Sequence, residues 1–147
     1  MFWDSSAIVP LLVAEPRSPE MTDLLRDAKI PTVWWATVVE CRSAIERRHR
    51  ERPLPRGVRE AALRRLEKLL DGCDTVPPAE EVRRRAGRLL AVHALRAGDA
   101  LQLAAALVYS EGEQGLSFVC LDDRLRDAAS KESFRILPPE PAPQPST

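Results

Sequence analysis

Short apolar runs rich in aromatic and β-branched residues alternate along this chain with longer stretches whose apolar positions recur at helical spacing. Met1–Trp3 reads as a strand ending at Asp4, followed by a short helix that starts at Ser5 or Ser6 and runs through Ile8–Leu12. Ser18-Pro19-Glu20 combines a capping hydroxyl, a proline at the first helical position and an acid in the first turn, so a helix is expected from there to about Ala28. Pro31 opens a second strand, Thr32–Trp35. From Ala36 to Arg50 the period becomes helical, with Trp34, Val38, Cys41 and Ile45 spaced for one buried face. Arg42–Glu46 and Glu46–Arg50 are placed to pair on the outer face.

Pro53 and Pro55 break that helix. A further amphipathic helix covers Val58–Leu70 and ends at Gly72, and a strand at Asp74–Val76 stops at Pro77-Pro78. The next helix, Ala79–His93, has Val82, Ala86, Leu89 and Leu90 as its buried positions. Gly98-Asp99 introduces Ala100–Tyr109, apolar around nearly its whole circumference and therefore a buried central helix. Ser117–Leu121 is a strand, Asp122-Asp123 leads into a short helix to Ala129, and Phe134–Leu137 is the last strand. Strands alternating with helices imply an α/β fold: a mostly parallel central sheet sandwiched by helices in three layers. Residues 1–137 are expected to form one domain. The tail 138–147, with five prolines in ten residues, is expected to be disordered or extended.

Composition narrows the function without naming it. The chain has 147 residues, 44% hydrophobic and 30% charged, which is a globular balance. Its formal net charge is zero, so no global basic field advertises nucleic acid, although a local patch would serve. The cations are nearly all arginine, with only Lys29, Lys68 and Lys131 as lysines; this suits forked phosphate contacts and equally suits a GC-rich coding bias. Cys41, Cys73 and Cys120 are far apart with no CxxC pair, which argues against a disulfide framework or zinc site and for a reducing compartment. The start MFWDSSAIV lacks the features of a signal peptide, and no run approaches the ~20 apolar residues of a membrane span. A cytoplasmic protein with no membrane contact is expected.

In parallel sheets, ligands bind beyond the carboxyl ends of the strands where the strand order reverses. Asp4 and Asp122 stand at strand carboxyl ends, Asp99 precedes the apolar helix, and Glu40 lies in the first turn or two of the Ala36–Arg50 helix. Singly, an Asp at a helix start is a cap worth ~1 kcal/mol. Glu40 could be a solvated acid with an ion-pair partner, but Ala36, Thr37, Ser43 and Ala44 occupy its i±3 and i±4 positions and offer no cation. Several acids at one end of a sheet repel one another, and a divalent cation is the usual remedy. Carboxylates without a His or Cys cluster suit Mg²⁺ or Mn²⁺. His49 and His93 are isolated, and no phosphate loop, GxSxG elbow or HExxH pair is present. Metal-assisted phosphodiester hydrolysis is the chemistry such a set can perform.

The segments WDSSAIVPLL (3–12), TVVECRSAIERR (37–48), RAGDALQLAAAL (96–107) and FVCLDDRL (118–125) together resemble the PIN-domain family, and within it the VapC-like toxins of type II toxin–antitoxin pairs. The family pattern is an Asp-x-Ser after the first strand, a Glu on a later helix, an Asp opening a buried Ala-rich helix, and an Asp closing the next strand. It falls on Asp4 with Ser6, Glu40, Asp99 and Asp122. The resemblance implies an Mg²⁺- or Mn²⁺-dependent ribonuclease in which Asp4 and Asp99 hold the metal and Glu40 and Asp122 act directly or through its waters. It also implies 5′-phosphate and 3′-hydroxyl products, a VapB-like antitoxin partner and a homodimer. The dimer is further favoured by the many apolar positions on the Ala36–Leu70 helices.

Two departures stand out. Cys120 replaces the Ser or Thr usual in the strand before the fourth acid, and Asp122-Asp123 offers two candidates for that acid. The alignment favours Asp122 in the site, with Asp123 starting the helix. The rival from another class is a non-catalytic PIN-like protein kept for RNA binding or dimerisation, against which the presence of all four acids speaks.

Overall fold

The two-residue side-chain period of the strands sorts the core into two layers of helices on either side of one sheet. A computed structural model of the protein describes residues 1–111 and 113–140. Most of the proline-rich tail, 141–147, lies outside the described residues. The strands are β1 (Phe2–Trp3), β2 (Thr32–Trp34), β3 (Asp74–Val76), β4 (Ser117–Val119) and β5 (Arg135–Leu137). The helices are α1 (Ser5–Leu12), α2 (Ser18–Asp27), α3 (Thr37–Glu51), α4 (Val58–Asp71), α5 (Glu80–Val92), α6 (Ala97–Ser110) and α7 (Asp123–Lys131).

All strand pairs are parallel, in the order β3-β2-β1-β4-β5. Phe2 pairs with Thr32 on one side and Phe118 on the other, and Trp3 pairs with Val119. Phe2, Trp34 and Phe118 face α5, α6 and α7, where they meet Leu89, Leu103 and Leu125. Trp3, Val33 and Val119 face the opposite layer and pack with Ile8, Met21, Ile45 and Leu66 of α1–α4. The Phe2 and Phe118 rings stack at 5.5 Å across β1 and β4, both fully buried. Aromatics in such positions typically lose about 3–5 kcal/mol when cut back to alanine. The chain runs from β1 outward to β3, then returns through α5 and α6 to enter β4 on the other side of β1. The order therefore reverses between β1 and β4, and a crevice opens there at the strand carboxyl ends.

Several local expectations give way to tertiary contacts. Ser18 is the first residue of α2 rather than its cap; its hydroxyl donates to the Pro10 carbonyl at 2.6 Å and accepts from Glu15 N at 2.8 Å. Glu46 ignores its helical neighbours Arg42 and Arg50 and accepts from Nη2 and Nε of Arg59, at 2.6 and 2.9 Å. This ties α3 to α4, because a fork across two helices satisfies both carboxylate oxygens at once. Leu90 is 46% exposed, on the outer side of α5. Trp35 leaves the strand and is 56% exposed. Among the described residues no helix is long and apolar enough to cross a membrane.

Candidate active site

Asp4, Glu40, Asp99 and Asp122 line one open cleft of about 590 Å³ at the reversal point, together with Ser5, Ser6, Arg47 and Arg96. Each arrives from a different piece of chain. Asp4 continues β1, its amide donating to the Val119 carbonyl at 2.9 Å, and its Oδ2 caps α1 by accepting from Ser6 N at 2.9 Å. Glu40 stands in the first turn of α3. Asp122 caps α7 by accepting from Leu125 N at 2.9 Å. Asp99 is not a cap: α6 starts earlier than its sequence pattern implied, with Arg96 at the cap position and Asp99 inside the first turn. Asp123 lies elsewhere, exposed, in a separate hollow with Arg126 and Asp127.

The environment opposes ionisation of three of these acids. Burial raises the Asp4 carboxyl above its ordinary range, and the Asp99 charge adds to this against the hydrogen bonds from Ser6. Burial likewise raises Glu40, with Asp4 and Asp99 adding repulsion. Asp99 is raised by burial and then by Asp122, while Arg96 and Arg124 offset part of the effect. Mutual repulsion of this kind is relieved by a bound cation.

Glu40 is gripped on both oxygens. Ser5 Oγ donates to Oε2 at 2.8 Å, and Gln102 Nε2 donates to Oε1 at 3.2 Å. The same Gln102 nitrogen lies 3.2 Å from Thr37 Oγ1, so a buried amide of α6 fixes the start of α3. The bonds to Asp4 converge on Oδ2, which leaves Oδ1 the less committed oxygen. The donor set is all oxygen, which suits a hard cation. Among the described residues no three Asp, Glu, His or Cys side chains converge tightly enough to wrap a bare ion. Mg²⁺ does not require that, since it keeps several waters and is held by one or two carboxylates.

The family model described as PIN domain matches residues 1–131. The chain belongs to the PIN-domain family. PIN domains are generally nucleases, so membership supports a nuclease role. Two solved structures resemble this PIN domain in fold. PAE2754 from Pyrobaculum aerophilum is 22% identical with a TM-score of 0.61, over 92% of this chain and 87% of that one. FitAcB from Neisseria gonorrhoeae is 18% identical with a TM-score of 0.64, over 92% of this chain and 94% of that one. No curated protein matches the sequence.

In this PIN domain Cys120 does not leave a gap where a hydroxyl is usual. Its sulfur lies 3.7 Å from Asp4 Oδ2 and 3.6 Å from Ser6 Oγ, and it accepts from Asp122 N at 3.4 Å. Burial pushes its thiol well above the ordinary range, so it stays protonated and can donate toward Asp4. Ser6 Oγ accepts from Leu121 N at 2.9 Å, lashing α1 to the end of β4. Sequence reasoning missed Ser5, Gln102 and Arg96. Gln102 carried a readable signal, being the one amide within an otherwise apolar helix, three residues after Asp99 and on the same face.

Proposed function

We propose that this PIN-domain protein is a metal-dependent endoribonuclease of the VapC-like kind. The observation that carries the reading is the cleft itself: four acids from four chain segments share it at the sheet's reversal point, and three of them are held above their ordinary pKa. Asp4 and Asp99 would hold Mg²⁺ or Mn²⁺, and Glu40 and Asp122 would act on it directly or through its waters. When bound, such an ion lowers the pKa of coordinated water and offsets charge gathering on the phosphate.

The protein's own residues do the rest. Ser5 and Gln102 keep Glu40 ionisable and aimed, since both donate to its charged form. Arg47 and Arg96 line the cleft as the cations available to phosphate oxygens. Asp122 is anchored by its bond to Leu125 N, which fixes its carboxylate at the start of α7. A VapB-like antitoxin, a homodimer and a cytoplasmic setting belong to the same proposal, as does an RNA substrate cut to 5′-phosphate and 3′-hydroxyl ends.

The test is cleavage of single-stranded RNA by wild type and Asp99→Asn, each with Mg²⁺ or Mn²⁺ and with chelator, on protein free of any antitoxin. Cleavage by wild type with metal alone is expected. Equal cleavage in all four conditions would point to a contaminating nuclease. No cleavage combined with no metal binding would favour the non-catalytic RNA-binding or dimerisation protein instead.

A further inference from the structure

The helix that forms one wall of the cleft, α3, is preceded in the chain by an exposed aromatic that the chemistry above does not use. Val39, Glu40, Ser43, Ala44 and Arg47 line the cleft, at spacings that place them on one face of the helix. Trp35 stands just ahead of the cap residue Ala36, in the turn that leads from β2 into this helix. Val39, Ser43 and Arg47 run at intervals of four for roughly 12 Å along α3, with Trp35 in the turn just before the helix at one end and a cation at the other. Val39 is 62% and Trp35 56% exposed, an unusual cost for two large apolar side chains on one edge. Arg47, like Arg42 and Arg50 of the same helix, makes no ion pair among the described residues, and of these three it is the one that lines the cleft.

Trp35 is also rigidly seated. Its amide donates to the Val76 carbonyl at 3.0 Å, which continues the β2–β3 pairing, and its ring meets buried Trp34 edge-on at 6.5 Å and 70°. Two residues later Thr37 is buried and bonded to Gln102, the residue that also fixes Glu40. The aromatic and the acid therefore share one rigid strand-to-helix turn.

We propose that Trp35 is a base-stacking seat that positions single-stranded RNA across the cleft, with Arg47 taking a backbone phosphate at the far end of the row. The proposal rests on the ribonuclease reading above. An unstacked base offers a π-face that an exposed indole can cover without regard to sequence, and a cation nearby retains the strand. Trp35 is then a positioning residue, which touches a base beside the reacting phosphate.

The geometry makes the test direct, because Trp3 and Trp34 are buried and only Trp35 can report an arriving base. Titration of the full-length protein with a uridine decamer in chelator should quench tryptophan fluorescence, and an abasic decamer of equal charge should not. Trp35→Ala should abolish the quench, weaken binding about tenfold and raise KM with little change in kcat; Trp35→Phe should restore most of the KM. Circular dichroism verifies that both variants fold.

Equal binding of the two decamers, or an unchanged KM in Trp35→Ala, overturns the proposal. A Trp35→Ala variant that turns a dimer into a monomer while leaving RNA binding intact also overturns it, and assigns this face to a second copy of the chain. Base-dependent quenching by a protein that cleaves nothing would sustain the seat and sink the nuclease reading, so the two failures are distinct.

Discussion

Acids in two regions of this molecule meet opposite fates. On the outer helices three carboxylates hold arginines: Glu46 takes Arg59, Glu81 takes Arg84 and Arg85, and Glu132 takes Arg88, with His93 bonded to its other oxygen. Their partners hold all three below the ordinary carboxylate range. In the cleft Asp4, Glu40 and Asp99 form no ion pair among the described residues, and burial with mutual repulsion holds them above it. The first group serves the fold at any neutral pH. The second works against the fold until something positive arrives, and a site that opposes its own folding needs another reason to exist.

The sharpest way to break this contrast is to neutralise one acid from each region. Asp99→Asn should reduce metal-dependent RNA cleavage more than about 100-fold, beyond the range seen when only outer partners of a metal site are lost. The same change should leave metal-free stability equal or higher, because a repelling charge is gone. Glu81→Gln should leave cleavage unchanged. Cleavage assays paired with thermal melts decide it; if both variants kept full activity, the cleft acids would be no different from the surface ones.

Gln102 tests whether the cleft depends on its support. Gln102→Leu removes the donor to Glu40 Oε1 and to Thr37, and should lower cleavage by about 10–100-fold. Stability should change less than activity, since losing the partnerless buried oxygen Gln102 Oε1 offsets part of what Thr37 and Glu40 lose with their donor. A variant that loses stability and activity in parallel would show a structural role only.

How much of this was legible beforehand depends on the range of the interaction. The strand cores Phe2–Trp3, Val33–Trp34 and Phe118–Val119 are readable because β-branched and aromatic residues fit a pleated, buried surface. The four acids are readable because their positions relative to strand ends and helix starts follow from local pattern. Glu46–Arg59 was not, since two i,i+4 partners compete with it and only the packing of α4 on α3 decides. The start of α6 at Ala97 was hidden behind Gly98, which looks like punctuation yet lies within the helix. The grip of Ser5 and Gln102 on Glu40 joins positions 35 and 62 residues away, beyond any window of local reasoning.

The two regions should also separate by pH in the chelated protein. An acid whose folded pKa is raised binds more protons folded than unfolded, so stability falls as pH rises from the ordinary value toward the raised one. For Asp4 and Asp99 that ordinary value is 3.8, and for Glu40 it is 4.5. Acidifying from neutrality into that window should therefore raise the melting temperature. Saturating Mg²⁺ should flatten the rise, and Asp99→Asn should shrink it. A melting temperature that only falls on acidification would mean the outer ion pairs dominate and the cleft stores no repulsion.

The smallest effect is the most discriminating for the outer region. Glu132 closes α7 against α5, with Oε2 2.8 Å from Arg88 Nη2 and Oε1 2.7 Å from His93 Nε2. Its pKa is lowered first by Arg88 and then against a smaller burial cost, so its contribution is complete above the ordinary 4.5 and lost as pH falls through the lower folded value. Arg88 is 51% exposed, so solvent screens the pair and its worth is about 1 kcal/mol or less. Glu132→Gln keeps the shape and a group able to bond His93, but removes the charge. Its destabilisation should be small at neutral pH, vanish below the folded pKa, and shrink in high salt, all without any change in cleavage. Urea unfolding across pH, with and without salt, would measure it. A loss that persisted unchanged into acid would place the value of this corner in packing, and the contrast between paired and unpaired acids would then rest on Glu46 and Glu81 alone.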